Sequence, residues 1–177
     1  MKVTRRAMIA GSLAVPTLAG LAGWRWRHGD GNTVLLHDPD LALARRFAAA
    51  GRDAGADVRA IAGDRIRFAR GALAHRPALV AAITRHADAL LIAEVATEAG
   101  YVIATEMRGD GVACEGTTCD PGWVALNRLA VGAGGAWPEA LAGWAADPAA
   151  SQMPRFEQSA PVAGAERVFA FVLAPRG

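Results

Sequence analysis

The chain has 177 residues, 53% of them hydrophobic and 20% charged, which excludes a disordered polymer and suits one folded domain. Its formal charge of +2 comes from the N-terminus: of 19 basic residues, setting aside Lys2, Arg5 and Arg6 leaves 16 against 17 acidic ones. No basic stripe remains for a nucleic acid to bind, and with aromatics at only 6% the core must be built from small side chains in close contact.

Lys2, Arg5 and Arg6 lead into an apolar run from Ala7 to Gly23 that contains Gly11, Ser12, Pro16 and Gly20. Thr4-Arg5-Arg6-Ala7, followed by apolar residues, resembles the twin-arginine export signal, with Met8 where that signal usually has Phe. The resemblance implies a signal over residues 1–25, export machinery engaged through Arg5 and Arg6, and a periplasmic destination. That route carries proteins already folded, often around a cofactor; it names none. The alternative is an uncleaved inner-membrane anchor. Residues 7–23 reach the lower limit of a spanning helix, and Trp24 and Trp26, interleaved with Arg25 and Arg27, suit a membrane interface.

The remainder, residues 30–177, reads as one α/β domain. Asn32 to His37 is a short Val/Leu-rich run, a buried first strand. Asp38-Pro39-Asp40 then reads as a helix start, with Asp38 at the N-cap, Pro39 at the first helical position and Asp40 complementing the helix dipole. That helix extends to about Ala54 and ends at Gly55. Asp57 to Ala62 is the second strand. After Gly63-Asp64, residues 65–70 alternate between Ile66 and Phe68 on one side and Arg65, Arg67 and Arg70 on the other. Either a hairpin into a short strand or an irregular arm leading to a short helix fits this stretch.

Ala78 to Ile83 reads as a third buried strand ending at Thr84, and residues 87–99 as a helix stopped by Gly100. Tyr101 to Glu106 is a fourth strand. Residues 109–122 form a loop rich in Gly, Thr and Asp; residues 123–146 look helical but are broken at 132–135, with Trp137 to Ala146 the cleaner part. Arg167 to Leu173 is a terminal strand, expected as an antiparallel edge. This alternation predicts a three-layer α/β sandwich, flavodoxin-like or Rossmann-like, with a mostly parallel sheet of four to five strands. The region resembles small exported α/β proteins of proteobacteria of uncharacterised function, a likeness that implies a fold and no chemistry.

In open α/β sheets, ligands bind beyond the C-terminal ends of the strands. The residues expected there are His37, Asp38, Asp64, Thr84, Arg85, His86, Met107 and Arg108. Arginine together with the free N–H groups of the helix after Thr84 would suit a small carboxylate or phosphate; each residue also makes sense as a cap or a solvated loop side chain. Asp38-Pro39-Asp40 after an apolar strand resembles the Asp-x-Asp of the haloacid dehalogenase family, which implies a nucleophile, an acid/base and a magnesium ion. The chain departs from that family: Ala42 stands where Thr is expected, no lysine follows Lys2, and the later acidic pair is missing.

Cys114 and Cys119 enclose four residues. In an exported chain the pair predicts a disulfide, rigidifying a local turn at ~2 kcal/mol on the chain-entropy argument; redox or soft-metal chemistry is the alternative. No G-x-G-x-x-G follows the first strand, and no serine lies in a nucleophile elbow. The expected role is therefore a periplasmic accessory module that binds a small ligand or a protein partner. The alternative is an enzyme or a redox or metal accessory that uses the strand-end residues or the cysteines.

Overall fold

The computed structural model describes residues 32–108, 133–147 and 168–176. Within them the chain order is β1 (Thr33–His37), α1 (Ala42–Asp53), β2 (Asp57–Ala60), α2 (Arg65–Leu73), β3 (Leu79–Thr84), α3 (His86–Glu98), β4 (Tyr101–Arg108), α4 (Trp137–Ala146) and β5 (Phe169–Pro175). The sheet order is β2-β1-β3-β5-β4. β1 pairs in parallel with both β2 and β3, and β5 lies antiparallel between β3 and β4. The sheet is thus mixed, with four strands pointing one way and β5 against them.

The central strands are continuous apolar runs because both of their faces are covered. Leu35, Leu79, Ala81, Ile83 and Val172 face a layer made by α1 and α4, where Phe47, Trp137, Leu141 and Trp144 supply the bulk. Val34, Leu36, Val80, Ala82, Phe171 and Leu173 face the opposite layer, where α2 and α3 contribute Leu73, Ile92 and Val95. α1 comes closest to the sheet at Gly51: a Cβ there would run into Leu35 Cδ1 and lie 3.2 Å from Val58 Cγ2. α1 and α4 are clamped by a bidentate pair, Arg46 Nε to Glu139 Oε1 at 2.6 Å and Nη2 to Oε2 at 2.8 Å. Gly100 stops α3 as expected, its φ of 85° lying in the left-handed region.

Three expectations need correction or a decision. Residues 65–73 form a helix, so the arm leading to a short helix is the reading that holds and the hairpin is not. The last strand is antiparallel but interior; a run buried on both faces from Ala170 to Ala174 gains more between two strands than at an edge. The observed edges are β2 and β4, and β2 carries the charges that suit an edge, with Asp57 and Arg59 paired at 2.7 Å. Asp38 is not the cap of α1. That helix begins at Ala42 after Leu41, with no side-chain cap, because Leu41 is drawn into the core and Asp38 is left three residues upstream.

The twin-arginine segment, both cysteines and residues 109–132 lie outside the described residues. Among the described residues no helix is long and apolar enough to cross a membrane.

Candidate functional site

β1 leads through α1 to β2 on one flank, and β2 leads back through α2, on the opposite face, to β3 on the other flank. The direction of winding therefore reverses between β1 and β3. Their C-terminal ends diverge into connections running in opposite directions, the place where an open α/β sheet forms its crevice. The residues that follow these ends are Asp38 and Arg85.

They meet there. Asp38 is almost wholly buried, its side chain 3% exposed, and Arg85 Nη1 lies 3.5 Å from its Oδ2. The same guanidinium reaches the exposed Asp40 through Nη2 at 3.3 Å. Asp38 Oδ1 accepts from the Asp40 backbone N–H at 2.9 Å, a turn that the Asp-Pro sequence favours. Its backbone N–H donates to the Ile83 carbonyl at 3.1 Å, which ties the residue to the end of β3. Oδ2 is left buried without a hydrogen bond. A buried polar atom in that condition costs about 1–3 kcal/mol, and more when it carries charge.

His37 precedes Asp38 at the end of β1. It is buried as the last residue of β1, its Nε2 3.5 Å from Arg52 Nη2, and Nδ1 makes no well-formed hydrogen bond. Burial lowers its pKa below the usual 6.5, and the Arg52 charge lowers it further, against the opposing pull of Asp38. Thr84 is fully buried and donates its hydroxyl to the Arg85 carbonyl at 2.9 Å, which fixes the residue that precedes α3. His86 turns its ring to the edge of Phe169, with centroids 5.1 Å apart. α3 starts at this point with no side chain capping it.

The strand-end expectation thus assembles His37, Asp38, Thr84 and Arg85, with His86 at the rim. It does not bring in Asp64, nor Met107 and Arg108, which lie on β4. Asp64 lies beyond the edge strand β2, where Oδ1 accepts from the Arg67 backbone N–H at 2.8 Å and caps α2. It borders an open groove of about 490 Å³ shared with Arg59, Arg67 and Phe68. Arg108 ends β4, which β5 separates from β3 by two strand spacings, roughly 10 Å. Asp40 and Arg52 join this cluster; Asp40 was read as a dipole partner and as part of the Asp-x-Asp resemblance, Arg52 only as a helix residue. Asp40 enters through the local Asp-Pro turn, whereas the i+15 offset of Arg52 from His37 carries no local signal, because the folding back of α1 over β1 creates that contact.

Among the described residues, no three His, Cys, Asp or Glu side chains gather in a way that could hold a metal ion. In comparisons with family models, curated proteins and solved structures, nothing matched the chain.

Proposed function

We propose that this chain is an exported accessory protein that binds a small polar ligand in the crevice between β1 and β3. The observation that carries the reading is Asp38 Oδ2, buried at the switch of strand order and lacking a hydrogen bond, with Arg85 3.5 Å away. Buried polar atoms are ordinarily satisfied, so one left open where ligands bind in such sheets marks a place for a donor from outside. A flavodoxin-like or Rossmann-like arrangement of the parallel half is the finer form of the fold that goes with it. Export through Arg5 and Arg6 and a periplasmic location complete the proposal; cleavage near residue 25 or retention as an anchor are its two versions.

The test is intact mass of the protein from the periplasmic and membrane fractions, native and then denatured without reduction. A native mass above the denatured one, with the excess lost in Asp38→Asn, is the expected outcome. Equal masses for wild type and variant, with no small polar molecule raising the Tm, would overturn the reading. The same spectra report the first residue and the state of Cys114 and Cys119. An enzyme using Asp38 is the competing class: there Asp38→Asn would leave ligand binding intact and abolish turnover.

A further inference from the structure

The open groove beside the β2 edge is a different place from the ends of β1 and β3, and two elements face each other across it. Val58 packs with the α1–α4 layer, so its neighbour Arg59 turns to the opposite face of the sheet, the one that α2 covers. α2 supplies the facing wall with Arg67, Phe68, Gly71 and Ala72. The space between them is about 490 Å³, within the roughly 300–1,000 Å³ of small-molecule sites. It stays open because Gly71 carries no side chain: a Cβ there would meet nothing within 4 Å.

Both guanidinium groups on this groove have donors to spare. Asp57 holds Arg59 through Nε at 3.1 Å and Nη2 at 2.7 Å, which fixes the side chain and leaves Nη1 without an acceptor. Arg67 is exposed, and among the described residues its guanidinium makes no hydrogen bond or ion pair. Asp64 borders the groove too, but its carboxylate is already engaged. The Arg67 backbone N–H, then that of Ile66 and the charges of Arg67 and Arg70, hold its pKa below the usual 3.8. Two planar forks with free N–H groups suit a carboxylate. The rest of the wall is apolar: Phe68 is half-buried, and Ala72 and the bare Gly71 backbone lie along it.

An inorganic anion would use the arginines and leave Phe68 uncovered. A cation would meet two guanidinium groups. A neutral aromatic would cover Phe68 and leave the donors unanswered, and a dianion would place its second charge against Asp57 and Asp64. We infer that this groove binds a monocarboxylate with a flat apolar body, an arylalkyl carboxylate, its carboxylate between Arg59 Nη1 and Arg67 and its ring along Phe68 and Gly71. The inference is independent of the crevice at Asp38 and adds a second site to the chain.

The experiment is calorimetric titration and thermal shift of the full chain at pH 7. The probes are phenylacetate and 3-phenylpropionate, with acetate (no ring), phenethylamine (no carboxylate), benzyl alcohol (no charge) and inorganic phosphate as matched controls. At least one arylalkyl carboxylate should bind, with every control at least tenfold weaker. Arg67→Gln and Arg59→Gln should each weaken it severalfold. Gly71→Leu should abolish binding while the Tm holds or rises, since leucine favours a helix and its side chain enters open space; loss of binding through unfolding is thereby separated from loss through filling the groove. Asp38→Asn should change nothing here. Acetate or phosphate binding as tightly as the aryl acids would overturn the apolar half of the inference. Binding retained in Gly71→Leu, or lost in Asp38→Asn and kept in Arg67→Gln, would overturn the assignment to this groove. No binding by either aryl acid would overturn it altogether and leave the crevice, tested by native mass and Asp38→Asn, unaffected.

Discussion

Asp38 and Asp64 occupy the same station in the chain, each following a strand of the parallel half and preceding a helix, and the fold treats them in opposite ways. Asp64 is exposed, sits immediately before α2, and spends its carboxylate on the Arg67 backbone N–H at 2.8 Å. Asp38 is buried, lies three residues before Leu41, and ends with one oxygen that accepts nothing. The difference is set by strand order. β1 is flanked by β2 and β3, so its end is walled in; β2 is an edge, and its end opens to water. A local sequence reading makes Asp38 the cap and leaves the role of Asp64 open. The sheet makes Asp64 the cap and leaves Asp38 buried, with one oxygen that accepts no hydrogen bond and Arg85 3.5 Å away.

The comparison is sharpest where binding and stability separate. Asp38→Asn should lower ligand affinity at least tenfold, about 1.4 kcal/mol. The Tm should stay or rise slightly, because Asn keeps the turn to Asp40 while the buried charge is gone and Arg85 is half exposed to water. A fall in Tm of several degrees with binding retained would make Asp38 a structural residue and erase the contrast. Asp64→Ala should do the opposite: leave binding unchanged and lower the Tm by about 3 °C through loss of the cap. The pH profile gives that effect a sign. The hydrogen bond from Arg67 N–H holds the Asp64 pKa below its ordinary 3.8. Its contribution is therefore present above pH 3.8 and lost as pH falls through the lower folded value. The Tm gap between wild type and Asp64→Ala should be flat from pH 7 to 4 and close below that; a gap independent of pH down to 2 would rule out the capping carboxylate as its source.

The parallel half was legible because buried parallel strands read as unbroken apolar runs: TVLLH and LVAAIT stand out, and the helix that follows each, α1 or α3, ends at a glycine, Gly55 or Gly100. Residues 65–73 were ambiguous because Ile66 and Phe68 alternate as in a strand; the capping aspartate three residues before Arg67 was the decisive signal. The place of β5 was hidden, since pairing across more than 60 residues of chain leaves no local mark. Its two-faced apolar run was the available clue against an edge. For the site, the rule that ligands sit at strand ends was enough to name His37, Asp38, Thr84 and Arg85. It also swept in Asp64 and Arg108, because the rule does not know which strands are neighbours. Asp40 and Arg52 escaped it, since each enters through a turn or a helix folding back over β1.

His37 extends the contrast to the last residue of β1. Burial and Arg52 lower its pKa from 6.5, so the folded state favours the neutral ring while the unfolded chain takes up a proton first as pH falls. The stability it contributes is complete above pH 6.5 and is lost as pH drops below that toward the folded value. Wild type should therefore lose Tm between pH 7 and pH 5 by more than His37→Gln does, an effect smaller than removal of the α2 cap. Parallel curves for the two proteins would mean that the ring is solvated, and that the end of β1 is as open as the end of β2.

The smallest effect is expected at Asp40, and its smallness is informative. Its carboxylate is 73% exposed and 3.3 Å from Arg85, a geometry worth at most about 0.5 kcal/mol in water. Asp40→Asn keeps the backbone N–H that Asp38 Oδ1 accepts from, so the turn survives. Its Tm should match wild type within a degree. Without the competing carboxylate, Arg85 is free to swing toward Asp38, and the 3.5 Å separation can shorten into a hydrogen bond that fills Oδ2 from within. The variant should then bind the ligand more weakly at unchanged stability, by a factor of a few, less than Asp38→Asn. Tighter binding in Asp40→Asn would instead show that Asp40 holds Arg85 away from the ligand, and that the guanidinium is the principal contact in the crevice.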